Sequence, residues 1–320
     1  MTSAIETTKL TKFYGKSRGV IDVDLLVETG QVFGFLGPNG SGKSTTIRVL
    51  LDLIRPTSGS ARVLGLDAHR DRLEIDRRVS YVPGELSLYP ELTGSQLLTY
   101  LANLKGGVDT AYRDSLIERL ELDPSKRTKS LSRGNKQKVG LVAAFMSRPE
   151  LLILDEPTAG LDPFVQLEFE HLCEEARDDG RTVFISSHQL PEVEHLCDRV
   201  AIIREGRLLA VETISSLKER ALRRLEIEFA GPVEAATFGG LPGIVDIRMD
   251  GLVLHCTVQG SLDGLIKAAA RFEVLNVRTV ETSLEEIFMA YYGAGEGLSE
   301  GTGDGAGGSA AGKETTHAAA

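Results

Sequence analysis

The sequence predicts an α/β protein: a mainly parallel, helix-covered sheet over residues 1–220, followed by a small α+β domain over residues 222–292. Three observations predict it. Short apolar runs of buried-strand length recur through the first part, and apolar residues between them repeat with helical period. After residue 222 the pattern changes to strict apolar/polar alternation, the mark of strands with one face in water.

The elements follow in order. VFGFL (32–36), VSYV (79–82), LLIL (151–154), TVFIS (182–186) and VAII (200–203) read as buried strands. Ile47, Leu50, Leu51 and Ile54 stand at i, i+3, i+4 and i+7, one face of a helix. In the second zone, Leu225, Ile227 and Phe229 alternate with Glu226 and Glu228, and Leu252, Leu254, Cys256 and Val258 alternate likewise. Leu262, Leu265, Ile266 and Ala269 mark one helix there; Leu284, Ile287, Phe288 and Tyr291 mark another. With a weak helix at 232–238 and a strand in VLNVRTV, the order is βαββαβ plus a final helix, which suggests a ferredoxin-like domain. Residues 293–320 are rich in Gly, Ala, Ser and Thr and are expected to be a disordered tail.

Composition narrows the function. The chain has 320 residues with 42% hydrophobic and 26% charged content, a soluble globular profile long enough for two domains. A net charge of −10 disfavours generic nucleic-acid binding. No apolar run approaches the roughly 18 residues of a membrane span, and MTSAIETTKLTKFYG lacks a signal-peptide core, so a cytoplasmic location is expected. Cys173, Cys197 and Cys256 are scattered, as in a reducing compartment. HLC occurs twice, at 171–173 and 195–197, but the spacing favours helix packing over a metal site.

The strongest local signal is GPNGSGKST: Gly37, Pro38, Asn39, Gly40, Ser41, Gly42, Lys43, Ser44 and Thr45. It matches G-x-x-x-x-G-K-[ST] and lies between a strand and a helix, the context a phosphate-binding loop needs. Gly40 and Gly42 let the backbone curl its N–H groups toward phosphate, and the helix N-terminus adds its positive end. Lys43 is expected to bridge the β- and γ-phosphates, Ser44 to ligate Mg²⁺, and Thr45 to assist at the α-phosphate. NKQK (135–138) has Lys where a guanine clamp needs Asp. Tyr14 offers a flat face on which a purine can stack.

LLILDEPTAGLDP places Asp155 and Glu156 at the carboxyl end of an apolar strand, where parallel sheets form their ligand crevice. Asp155 is expected to hold Mg²⁺ with Ser44, and Glu156 to polarise the attacking water. His188, just past another strand in VFISSH, is placed to orient that water. A second anion site is expected at LSRGN, where Ser132, Gly134 and Asn135 open a helix.

The phosphate loop, LSRGN, LLILDEP, AGLD and SSH stand in the order of an ABC-type ATPase cassette, a P-loop NTPase with a helical subdomain, here at about 85–150. The resemblance covers about residues 4–215. It implies that two cassettes pack head to tail around two ATP molecules. The phosphate loop of one would then face Ser132, Gly134 and Asn135 of the other. Asp162, in AGLD, would touch the opposite chain. The family usually carries LSGGQ, so Arg133 and Asn135 depart from it. It also usually has a glutamine where Gly84 stands; Glu85 is the neighbouring candidate for its role.

The chain most resembles ATP-binding subunits of bacterial drug or antibiotic exporters, which often carry a C-terminal extra domain. The resemblance implies separate integral-membrane permease subunits, a homodimer or heterodimer of cassettes, and a peripheral place on the inner membrane face. Three rivals are a translation-type ABC ATPase, a DNA-repair type and a regulatory ATP-binding module. The first usually has two cassettes per chain, the second needs a long coiled coil that residues 46–130 do not show, and Glu156 argues against the third.

Overall fold

The computed structural model describes residues 3–220 and 222–281. The chain opens with a long antiparallel pair, β1 (Ser3–Tyr14) and β2 (Ser17–Glu28), followed by β3 (Val32–Leu36) and helix α1 (Lys43–Leu50). Two short strands, β4 (Ser58–Val63) and β5 (Leu66–Asp67), complete an antiparallel sheet of order β2-β1-β4-β5.

Helix α2 (Arg72–Arg78) leads into β6 (Val79–Val82). Three helices follow before the chain returns to the sheet: α3 (Gly94–Leu104), α4 (Thr110–Arg119) and α5 (Arg133–Phe145). Thereafter β7 (Leu151–Asp155), α6 (Pro163–Asp178), β8 (Thr182–Ser187), α7 (Leu190–Leu196) and β9 (Arg199–Arg204) alternate, and β10 (Arg207–Thr213) and α8 (Ile214–Arg220) close the unit. The six-stranded sheet has the order β10-β9-β3-β8-β7-β6. β9, β3, β8, β7 and β6 run parallel; β10 is antiparallel at the edge.

All five residues of β3 and all five of β7 are buried, because both sheet faces are covered. Phe33, Phe35, Ile153 and Phe184 point to a core shared with α1 and the antiparallel sheet. Leu36, Leu152, Leu154 and Ile185 point to the opposite core, beneath α5, α6 and α7. Phe33 and Phe184 stack with centroids 5.9 Å apart, and burying each such ring stabilises the fold by about 1.5–3 kcal/mol.

The helical segment is tied to the sheet unit by charge as well as by apolar contact. Arg119, on α4, reaches Glu168 at 2.5 Å and Glu175 at 2.7 Å and 3.0 Å, both on α6. Hydrogen bonding to Glu175 raises the Arg119 pKa above its ordinary value. Helix α3 starts with a capping box in which Thr93 and Gln96 satisfy each other's backbone N–H groups.

Two details differ from the periodicity. Helix α1 stops at Leu50, so Ile54 lies beyond it; Asp52 turns the chain with φ 54. The helix expected at 232–238 is a single 3-10 turn, Ala235–Thr237. The GGLPG run after it supplies glycines and a proline that disfavour helix continuation.

That turn belongs to the C-terminal unit, which is built on a third sheet. β11 (Leu222–Phe229), β12 (Ile244–Asp250), β13 (Val253–Gln259), α9 (Asp263–Ala269) and β14 (Val274–Glu281) form it, in the order β12-β13-β11-β14, antiparallel throughout. This is the strand order of a ferredoxin-like unit with its first helix reduced to one turn. Phe229, Phe238 and Phe272 cluster in its core. The helix expected around Leu284–Tyr291 and the tail 293–320 lie outside the described residues.

Candidate functional site

The parallel strands deliver the expected residues to one edge. β3 ends at Leu36 and the glycine-rich loop begins at Gly37, whose N–H donates to the Ser187 carbonyl at 3.1 Å. A Cβ on Gly37 would sit 2.2 Å from the Ile203 carbonyl oxygen, so only glycine fits. Gly40 and Gly42 have φ of 78 and 113, a conformation side chains resist. Gly42 is the N-cap of α1, and Lys43, Ser44 and Thr45 form its first turn. Pro38 and Asn39 are exposed at the loop tip; Ser41 is buried beneath it.

Lys43 is 5% exposed and its charge is matched locally. Its Nζ donates to the Gly37 carbonyl at 2.7 Å and lies 3.3 Å from Glu156 Oε1. A buried ammonium needs such partners. The other Glu156 oxygen, Oε2, meets His188 Nδ1 at 2.6 Å. Glu156 thus stands between the phosphate-loop lysine and the histidine. Its backbone is left-handed, φ 51, a strain of about 1–3 kcal/mol for a non-glycine residue that clusters at functional sites. The Glu156 N–H donating to the Ser186 carbonyl at 3.0 Å helps hold that turn.

Asp155 is 4% exposed at the end of β7. Ser186 donates its hydroxyl to Asp155 Oδ1. Its Oδ2 lies 3.7 Å from where a Cβ on Gly84 would stand. Among the described residues no cluster of three or more His, Cys, Asp or Glu could hold a metal by itself. One buried carboxylate and one hydroxyl, Ser44, are hard oxygen donors that leave positions for phosphate oxygens and water, a set that fits Mg²⁺.

Tyr14 is 44% exposed, its hydroxyl 3.4 Å from Thr45 Oγ1. Lys12 Nζ lies 5.4 Å from the ring centroid. Glu85 is exposed in the loop after β6, while Gly84 faces Asp155.

The second expected anion site lies at the start of α5. Ser132 caps the helix and accepts from Asn135 N–H at 3.3 Å and Asn135 Nδ2 at 3.1 Å. Gly134 has a reason the sequence did not show: a Cβ there would sit 2.3 Å from the Gly160 carbonyl oxygen. Helix α5 therefore packs directly on the segment that follows Glu156. Asp162 caps α6 through Val165 N–H at 3.1 Å and lies 3.7 Å from Lys138 Nζ. The Val165 N–H holds the Asp162 carboxyl below its usual range.

Sequence reasoning missed four residues. Ser186 supports Asp155, Gln137 and Lys138 tie α5 to the Pro157–Asp162 segment, and Glu192 lies beneath Ser187. A buried amide or ammonium directly after LSRGN was the available signal; Glu192 had none beyond its closeness to His188.

This geometry defines a nucleoside-triphosphate site of cassette type, and the comparisons with known proteins agree. Residues 20–159 match the family described as ABC transporter. The bacitracin transport ATP-binding protein BcrA of Bacillus licheniformis is 36% identical over 304 residues, 92% of this chain and 99% of that protein. The daunorubicin/doxorubicin resistance ATP-binding protein DrrA of Streptomyces peucetius is 33% identical over 307 residues, 91% of this chain and 93% of that protein. A solved ATP-binding subunit of an ABC transporter is 30% identical with a TM-score of 0.62, covering 67% of this chain and 92% of its own. The chain belongs to the ATP-binding subunits of the ABC transporter family, and its cassette is an ATPase. No helix among the described residues is long and apolar enough to cross a membrane.

Proposed function

We propose that this chain is the ATP-hydrolysing subunit of a drug, antibiotic or lipid-like substrate exporter, working with separate permease subunits at the inner membrane face. The observation that carries the ATPase part is the Lys43–Glu156–His188 arrangement above the phosphate loop. Export is supported by the bacitracin-transport and daunorubicin/doxorubicin-resistance relatives, similar over nearly their full length.

In this proposal Gly37–Thr45 cradles the triphosphate and Tyr14 stacks on the adenine. Ser44 and Asp155 hold Mg²⁺, which neutralises phosphate charge when bound. Glu156 takes the proton of the attacking water, and His188 keeps Glu156 oriented and meets the γ-phosphate. ABC ATPases work as dimers with membrane permeases. Ser132, Gly134 and Asn135 would grip the γ-phosphate held by a second cassette, identical or not, across from which Asp162 makes its contact.

In this proposal the permease would dock on a groove of about 810 Å³ between α2, α3 and α5, mostly apolar but also lined by Asp76, Arg77 and Lys105. Leu73 and Leu104 on its rim are 77% and 66% exposed, and the strand beneath it, β6, runs on to Gly84 beside Asp155.

Glu156→Gln tests the proposal. Hydrolysis should fall by about 10²–10⁴-fold, and an ATP-bound dimer should accumulate on size-exclusion chromatography. Native turnover by that variant, or full turnover by a strictly monomeric native chain, would refute it. Capture from detergent-solubilised membranes should recover an integral-membrane partner, and Leu104→Glu should lose that partner while ATP hydrolysis persists.

A further inference from the structure

We propose that Glu192 is a positioning residue for His188 of the Glu156–His188 pair, its carboxyl holding the Ser187–His188 corner; this rests on the catalytic roles proposed for that pair.

Glu192 stands in the first turn of α7, behind the nucleotide edge. The Ser187 hydroxyl donates to its Oε2. Ser187 is the residue before His188, and its carbonyl accepts the Gly37 N–H at 3.1 Å. Its hydroxyl also accepts from the Gln189 N–H at 2.9 Å. Ser187 is therefore pinned to the phosphate loop on one side and to Glu192 on the other.

The Oε1 atom of Glu192 is closed off from solvent and makes no hydrogen bond of ordinary geometry. Burial pushes this carboxyl up, the Ser187 and Thr158 hydroxyls pull it back, the Glu156 charge pushes it up, and His188 pulls it back.

A packing role alone would be served better by an apolar side chain, since burying a carboxyl carries a desolvation cost. What an apolar residue cannot do is accept from Ser187. Its loss frees the Ser187–His188 corner, while the phosphate loop keeps its own contacts. A displacement of about 1 Å at a reacting group can cost about 10²-fold in rate.

The test uses the full-length chain and measures phosphate release against ATP concentration. Glu192→Leu should lower kcat by about tenfold or more with little change in KM. Glu192→Gln, which still accepts from Ser187, should restore most of kcat. Ser187→Ala, which removes the donor without touching a charge, should repeat the loss. The proposal is overturned if Glu192→Leu or Ser187→Ala keeps native kcat, or if Glu192→Gln falls as far as Glu192→Leu. Glu156→Gln is run alongside. Its native turnover would overturn the catalytic pair itself and this proposal with it. Its loss beside an active Glu192→Leu overturns only the role of Glu192.

Discussion

The side-chain amide of Gln137 donates to the carbonyl oxygen of Pro157 at 2.9 Å, joining the helix capped by Ser132 to the chain that leaves Glu156. Gln137 is 3% exposed, so this bond is shielded from water. Together with the Gly134–Gly160 contact and the Lys138–Asp162 pair, it makes the start of α5 and residues 157–162 one packed piece.

Gln137→Leu should therefore destabilise the chain beyond a surface change. The Pro157 carbonyl would be left buried without its donor, a cost of about 1–3 kcal/mol. Urea unfolding measures that loss. The same variant should lower kcat more than it weakens ATP binding, since Glu156 sits one residue before Pro157.

Gly134→Ala should also reduce turnover. The added methyl would meet the Gly160 carbonyl at 2.3 Å, so α5 or the 157–162 segment has to shift. Overpacking of this kind costs about 1–3 kcal/mol. Binding of a fluorescent ATP analogue to the phosphate loop should persist. Unchanged stability and turnover would show that glycine is not required by this contact.

Gly84→Gln should be tolerated, because a Cβ there meets Asp155 only at ordinary contact, 3.4 Å from its carbonyl oxygen. The new amide would stand beside Asp155, where the family usually has glutamine. Thermal unfolding should match the native chain. Glu85→Ala should weaken permease-stimulated turnover more than ATP affinity; equal stimulation in both proteins would remove Glu85 from that role.

The three thiols should be silent to a soluble disulfide reagent at neutral pH. Burial raises the thiols of Cys173 and Cys197 well above their ordinary value and pushes Cys256 up to about 11. An unfolded thiol ionises near 9.0. Between these values the unfolded chain binds fewer protons, so stability falls as pH rises from about 9 toward 11. Thiol titration before and after denaturant, with unfolding followed across that range, measures both effects.

Much of the site was legible because its chemistry is local in sequence. A phosphate loop needs its glycines, lysine and hydroxyls within nine positions; Asp155 ends an apolar strand, and Glu156 and His188 each directly follow one. A strand end in a covered parallel sheet is a place that apolar runs announce. Glu192 and Gln137 were not legible in that way. A glutamate in the first turn of a helix reads as an ordinary surface residue until Ser187 is found against it.

The sequence by itself announced the five parallel strands of the main sheet, β3, β6, β7, β8 and β9, and the phosphate loop between a strand and a helix, since period and spacing are properties of neighbouring residues; it did not announce the antiparallel sheet of β1, β2, β4 and β5. Only the tertiary structure decided which partners those groups meet. It placed Lys43 and His188 on opposite oxygens of Glu156, set the Gly160 carbonyl against Gly134, and shortened the helix expected at 232–238 to one turn. The physical reason is that these outcomes depend on contacts between segments far apart in the chain, and a hydrogen bond or a close approach is set by the folded coordinates of both partners.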